Sequence, residues 1–221
     1  MARRSMVLFA LVWLVLSSVS ARSVSAQADT TEPTPISLFH TDFSTRADRW
    51  RLLDLKTSAV RYQDDGLQLA VTAANKAVWT FPDSDLKPDE FAMKLTGTWN
   101  SGGKAAMFGL VTRYRTETDM QIVAVSREGK LYIGNYTGAS LKLIGKTVQL
   151  KEKIGETVAL EVLVRKAKTG LTLTVTIDDN APVTVALPAE KKPYSFGLFA
   201  QSGTEPGLAV TLNTLTVTLP Q

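Results

Sequence analysis

The chain has 221 residues, 44% hydrophobic and 21% charged, with a net charge of +4 and no cysteine. That composition is globular, which sets aside disordered and fibrous classes. The missing cysteine excludes disulfides, thiolate metal sites, cysteine nucleophiles and a lipid-modified cysteine.

Three of the 25 basic residues, Arg3, Arg4 and Arg22, precede Gln27, and no acidic residue does. Beyond residue 26 the chain therefore holds 22 basic and 21 acidic residues, a net charge of +1. A nucleic-acid partner needs a concentrated basic face, so none is expected. The bias belongs to an export leader. Arg3-Arg4 precede an apolar run, Met6 to Leu16, and a Ser/Val-rich stretch with small-residue cleavage patterns ending at Ala21, Ala26 or Ala28. Residues 1–28 read as a signal peptide, cut between 26 and 28 and routed to general export in preference to a twin-arginine route. The run is far shorter than the roughly 20 residues of a spanning helix, so no membrane span is expected after cleavage. The expected location is secreted, periplasmic or cell-surface. Residues 29–35, DTTEPTP, form a polar linker, and 36–221 form one domain large enough to bury a core without disulfides.

From Ile36 onward apolar residues recur at spacing two, and Thr, Val, Leu and Tyr are abundant, which is strand patterning. Ile36–His40 is a first strand. Asp42-Phe43-Ser44 then turns the chain towards Trp50. Strands follow at Ala59–Gln63, Leu67–Thr72 and Val78–Phe81, the first two joined at Asp64-Asp65-Gly66. Phe91–Trp99 alternates, with Phe91, Met93, Leu95 and Trp99 on one face. Lys104–Tyr136 reads as a three-strand meander. Leu141–Ile144 and Val148–Leu150 are short. Val158–Val164 and Leu171–Ile177 carry apolar residues on one shared face, with Val164 opposite Leu171 and Val158 opposite Ile177. Val183–Leu187, Tyr194–Ala200 and Leu208–Leu219 close the domain, the last with a phase change at Asn213-Thr214 that predicts a bulge. About a dozen short strands, many with one polar face, predict an all-β, two-sheet antiparallel β-sandwich of jelly-roll type. Ile36 and Leu219 are expected as neighbours.

Several short stretches carry a resemblance. They are Asp42-Phe43-Ser44 with Trp50, Gly109-Leu110-Val111-Thr112-Arg113-Tyr114, Arg127-Glu128-Gly129-Lys130, and Phe196-Gly197-Leu198-Phe199-Ala200 followed by Gly203 and Gly207. Together they resemble the concanavalin A-like lectin/glucanase superfamily, and within it the laminin-G-like jelly-roll domains of bacterial exported proteins. The 3-keto-disaccharide hydrolase domain is a more distant cousin. The resemblance spans most of Leu38 to Val217. It implies a curved jelly roll, glycan or cell-surface binding in many members, and calcium in some. The superfamily's glucanases carry an E-x-D-x-x-E strand, and this chain has none.

Glycoside hydrolysis uses two carboxyl groups flanking a bond. Here Glu161 stands alone on its strand, and most other acids, Glu117, Asp119 and Glu128 among them, fall at turns. The single histidine, His40, reads as an edge or surface residue. It rules out a histidine-based zinc site by count, and no nucleophile elbow accompanies it. Asp178-Asp179-Asn180 concentrates oxygen ligands and is the calcium candidate, although the same residues suit a hairpin tip. Asn135-Tyr136-Thr137 matches a glycosylation sequon.

The meander supplies the ligand candidate. A two-residue loop at Glu128-Gly129 pairs Arg127 with Lys130, which puts Val125 opposite Tyr132 and Gln121 opposite Tyr136. In the first hairpin Tyr114 opposes Met120 and Arg113 opposes Gln121. Arg113, Gln121 and Tyr136 then form one row, with Tyr132 on the same face. The opposite face would carry Phe108, Leu110, Ile122, Leu131 and Ile133. A fork donor, an amide and aromatic platforms suit sugar hydroxyls and rings. The competing reading is an ordinary solvated sheet face. The sequence thus points to an exported, non-catalytic module binding glycan or another extracellular ligand. The alternative is a structural or protein-interaction domain of the cell envelope, with an envelope protein as partner, and an enzyme ranks third.

Overall fold

In strand β12 (Thr157–Ala167), Val158, Leu160, Val162 and Val164 are buried while Glu161 points to water. This spacing of two builds the whole chain, because successive side chains of a strand leave on opposite faces. The computed structural model describes residues 35–46, 48–63, 65–138, 140–188 and 195–220. The expected leader lies outside the described residues, as does the linker apart from Pro35.

The chain forms two antiparallel sheets. The first holds β1 (Ser37–Thr41), β2 (Leu53–Leu55), β3 (Ser58–Gln63), β4 (Gly66–Val71), β6 (Phe91–Ser101), β12, β13 (Gly170–Ile177), β14 (Val183–Leu187) and β16 (Leu208–Thr218). Its order is β14-β13-β12-β6-β16-β4-β3-β2, with β1 beside the end of β16. The second holds β5 (Ala77–Thr80), β7 (Met107–Thr116), β8 (Asp119–Ser126), β9 (Lys130–Tyr136), β10 (Leu141–Leu143), β11 (Val148–Gln149) and β15 (Ser195–Gln201). Its order is β10-β9-β8-β7-β15-β5, and β11 also pairs with β9. The first and last strands meet as expected, since Leu219 N–H donates to the Ile36 carbonyl at 3.0 Å. Among the described residues no helix is long and apolar enough to cross a membrane.

The core lies between the sheets. Trp99 meets Phe108 edge-on at 4.7 Å, and Gly97 leaves room for that ring, because a Cβ there would sit 2.7 Å from Phe108 Cε2. Trp50 is buried against Phe39 and Phe43. The bulge at Asn213 is present and used: its Oδ1 accepts from Thr98 Oγ1 at 2.9 Å, and its Nδ2 donates to the Asp65 carbonyl.

Two pairings differ from the sequence reading. β12 and β13 meet as Val164↔Leu173 and Leu160↔Ile177, two residues from the expected register, because the hairpin closes tightly at Ala167↔Gly170. A shift of two preserves both faces. The other difference does not preserve them.

Candidate functional site

The second meander hairpin pairs Val125 with Leu131 and Ala124 with Tyr132, so its loop is Arg127-Glu128-Gly129 and not Glu128-Gly129. A two-residue I′ turn would need positive φ at both central residues, which Glu128 disfavours. Instead a single αL residue, Gly129 at φ 79°, closes a three-residue loop. The shift is one residue, and one residue turns every β9 side chain over.

The proposed row is therefore split. Arg113 opposes Gln121 as expected, but Gln121 opposes Asn135, while Tyr136 opposes Met120. Gln121 shares the inward face of β8 with Val123 and Val125 and is 5% exposed. A bulge at Thr112 lets its hydroxyl donate to Gln121 Oε1 at 3.0 Å. Arg113 is largely buried and pairs with Asp119 at 3.4 Å. Tyr132 and Tyr136 project from the other face. Ile122 joins them there, a correction to its expected place in the inner core. The sequon residue Asn135 lies inside β9, half-buried, with its Oδ1 buried.

The outer face of this second sheet is apolar where a sandwich normally meets water. Met107, Val111, Met120, Ile122, Ala124, Tyr136 and Phe199 form a second buried cluster. β9 and β5 are four strand spacings apart, about 19 Å on a flat sheet. Yet the rings of Tyr136 and Trp79 have centroids 5.7 Å apart, and Tyr136 meets Phe199 at 5.7 Å. The sheet must curl strongly, and its own aromatic side chains fill the concavity. Tyr136, 7% exposed, is part of that filling and not an open platform. Burial raises the pKa of its phenol, whose hydroxyl donates to the Gly138 carbonyl at 3.2 Å.

Trp79 also borders a cleft of about 270 Å³ between the edges of the two sheets. Leu53, Leu55 and Ser58 line it from β2 and β3, and Ala77, Val78 and Trp79 from β5. The segment carrying Arg51 is pinned to β5: its N–H donates to the Phe81 carbonyl at 3.0 Å, and its carbonyl accepts from Thr80 Oγ1 at 2.7 Å. Glu117 arrives from the β7–β8 turn and faces Arg51 at 3.9 Å. Both side chains are about two-thirds exposed, 65% and 63%, so the pair holds little energy and can rearrange around a guest. The residues lining the cleft thus include an indole, aliphatic side chains, a fork donor and one carboxylate acceptor. In the sequence Trp79 is only one residue of the strand Val78–Phe81, Glu117 is an acid at a turn, and nothing singles out Arg51. The signal was there only as a tryptophan on a short edge strand.

The calcium candidate is built as a turn. Asp178, at φ 46°, accepts the Ala159 N–H at 2.8 Å through Oδ1. Asn180 is buried, accepts the Glu152 N–H at 3.0 Å, and donates to the Ile177 carbonyl. Two of the three side chains are spent on backbone groups, which does not fit a cage of six to eight oxygens. Among the described residues no group of three or more His, Asp or Glu could hold a metal ion. His40 sits exposed on the first sheet, with Nδ1 2.9 Å from Thr216 Oγ1.

No family model matches the chain, and no curated protein matches it in sequence. Solved structures do match in shape. The chain is similar to the carbohydrate-binding module CBM66 from Bacillus subtilis, with a TM-score of 0.54 at 10% identity over 76% of this chain and 94% of that one. It is similar to the exoplasmic/lumenal domain of VIP36 in its Ca²⁺/Man3GlcNAc-bound form, with a TM-score of 0.55 at 10% identity over 78% and 83%. It is also similar to a Bacillus licheniformis β-glucanase, with a TM-score of 0.59 at 10% identity over 85% and 100%. At such identities the likeness carries the fold alone, and with its two antiparallel sheets the chain has the jelly-roll β-sandwich fold of these structures.

Proposed function

We propose that this chain is an exported, non-catalytic module that binds glycan in the cleft beside Trp79. The carrying observation is the cleft itself, which the Trp79 indole lines together with the Arg51 guanidinium and the Glu117 carboxylate. Sugar rings stack on such planes, and their hydroxyls take both donors and acceptors. Two of the similar structures, a carbohydrate-binding module and a domain bound to a mannose-containing glycan, support the reading. A hydrolase needs a second carboxyl group across the bond, and Glu117 is the one acid among the residues lining this cleft.

A second reading, a protein-interaction domain of the cell envelope, is favoured by one observation. Leu52, just before the edge strand β2, and Leu55, its last residue, stay 49% and 58% exposed. A glycan array probed with the exported protein and with Trp79→Ala separates the two. The glycan reading expects hits that disappear with Trp79→Ala in a variant that still unfolds cooperatively, at a lower melting temperature because Trp79 also packs on Tyr136. An array without hits rejects it and leaves the interaction domain.

A further inference from the structure

We infer that the sugar selected by the Trp79 cleft is neutral and carries an apolar substituent, a ring methyl or an acetyl group; this rests on the glycan reading above. A plain hexose has one apolar face, and Trp79 suffices for it. The cleft provides more. Leu53 and Leu55 line it from one sheet edge and Ala77 from the other, so aliphatic groups share the cleft with the polar ones, Arg51, Ser58 and Glu117, while the Val78 side chain belongs to the core. A hydroxyl turned to that wall exchanges water for no partner. A methyl group there does the opposite, because Leu55 is 58% exposed and would be taken out of water by the guest.

Charge and size point the same way. Arg51 and Glu117 are the charged residues lining the cleft and their charges balance, so it carries no net charge to favour an anionic sugar. The volume, about 270 Å³, lies below the roughly 300 Å³ at which pockets begin to enclose drug-sized ligands. The cleft therefore suits one substituted ring and not a run of several. Burying one methyl group is worth about a fourfold gain in affinity.

The test titrates the exported protein, by calorimetry or chemical-shift perturbation, with methyl glycosides in matched pairs. These are L-fucoside against L-galactoside, L-rhamnoside against L-mannoside, and N-acetylglucosaminide against glucoside. The inference expects the substituted member of at least one pair to bind about fourfold tighter or more. It expects Leu55→Ser, a change at an exposed position, to erase the difference between the members of that pair. Parents that bind as tightly as their partners, or a preference that survives Leu55→Ser, overturn the inference. If a polysaccharide binds through Trp79 but no member of any pair does, the inference falls and the glycan reading stands. If no glycan binds at all, both fall.

Discussion

Replacing Tyr136 with alanine separates the two faces that the meander could have shown to solvent. As an open platform, the ring would contribute within about 0.5 kcal/mol of nothing to stability. In the structure it is 7% exposed and meets Trp79 and Phe199 at 5.7 Å each. Aromatic-to-alanine changes in closed cores cost about 3–5 kcal/mol. This cluster lies on the outer face of a sheet, where neighbours relax, so the lower end applies, about 3 kcal/mol. About 1 kcal/mol of that belongs to the hydroxyl bonded to the Gly138 carbonyl, and Tyr136→Phe isolates it. Urea unfolding followed by tryptophan fluorescence reads both variants. With a slope of about 2 kcal/mol per molar, Tyr136→Ala lowers the midpoint by about 1.5 M and Tyr136→Phe by about 0.5 M. A Tyr136→Ala shift below about 0.25 M would place the ring in solvent and refute the one-residue register.

Three further outcomes follow from the packing. Gly97→Ala forces a Cβ to within 2.7 Å of Phe108 and 2.9 Å of Leu212 Cδ2, and should cost about 1–3 kcal/mol in the same urea experiment. Asp178→Ala should lower the melting temperature by removing the acceptor of the Ala159 N–H, whereas a chelator should leave the wild-type melting temperature unmoved; a drop on chelation would restore the calcium site. Burial raises the phenol pKa values of Tyr62 and Tyr136 above their usual range. The stability linked to those protons is fully present below pH about 10 and is lost as pH rises through the folded-state values. Melting temperatures measured upward from pH about 9 should therefore fall, and fall less steeply for Tyr136→Phe.

Much of the fold was legible because alternation encodes burial directly. Phe91, Met93, Leu95 and Trp99 are all buried, and the Asn213 bulge lies where the phase of β16 changes. β2 escaped notice because three residues, Leu-Asp-Leu, are too few to show a period. The site was harder to read. The face of β9 hung on whether the loop held two residues or three, which Glu-Gly leaves open until φ is known. The apolar run of β8 is buried on both sides, so alternation could not say which side was inner. The Trp79 cleft joins residues 51, 79 and 117, distant in sequence, through hydrogen bonds that pin the Arg51 segment beside β5 and through the β7–β8 turn that carries Glu117.

The most direct test is a titration of the exported protein, labelled at the indole N–H groups, with the best ligand from the array. The domain supplies its own controls, because the indole nitrogens of Trp50 and Trp99 are buried in the core. The account predicts that the Trp79 indole signal moves saturably while those of Trp50 and Trp99 stay in place. Movement of the core signals with Trp79 unmoved, or no saturable change at any of the three, would contradict it.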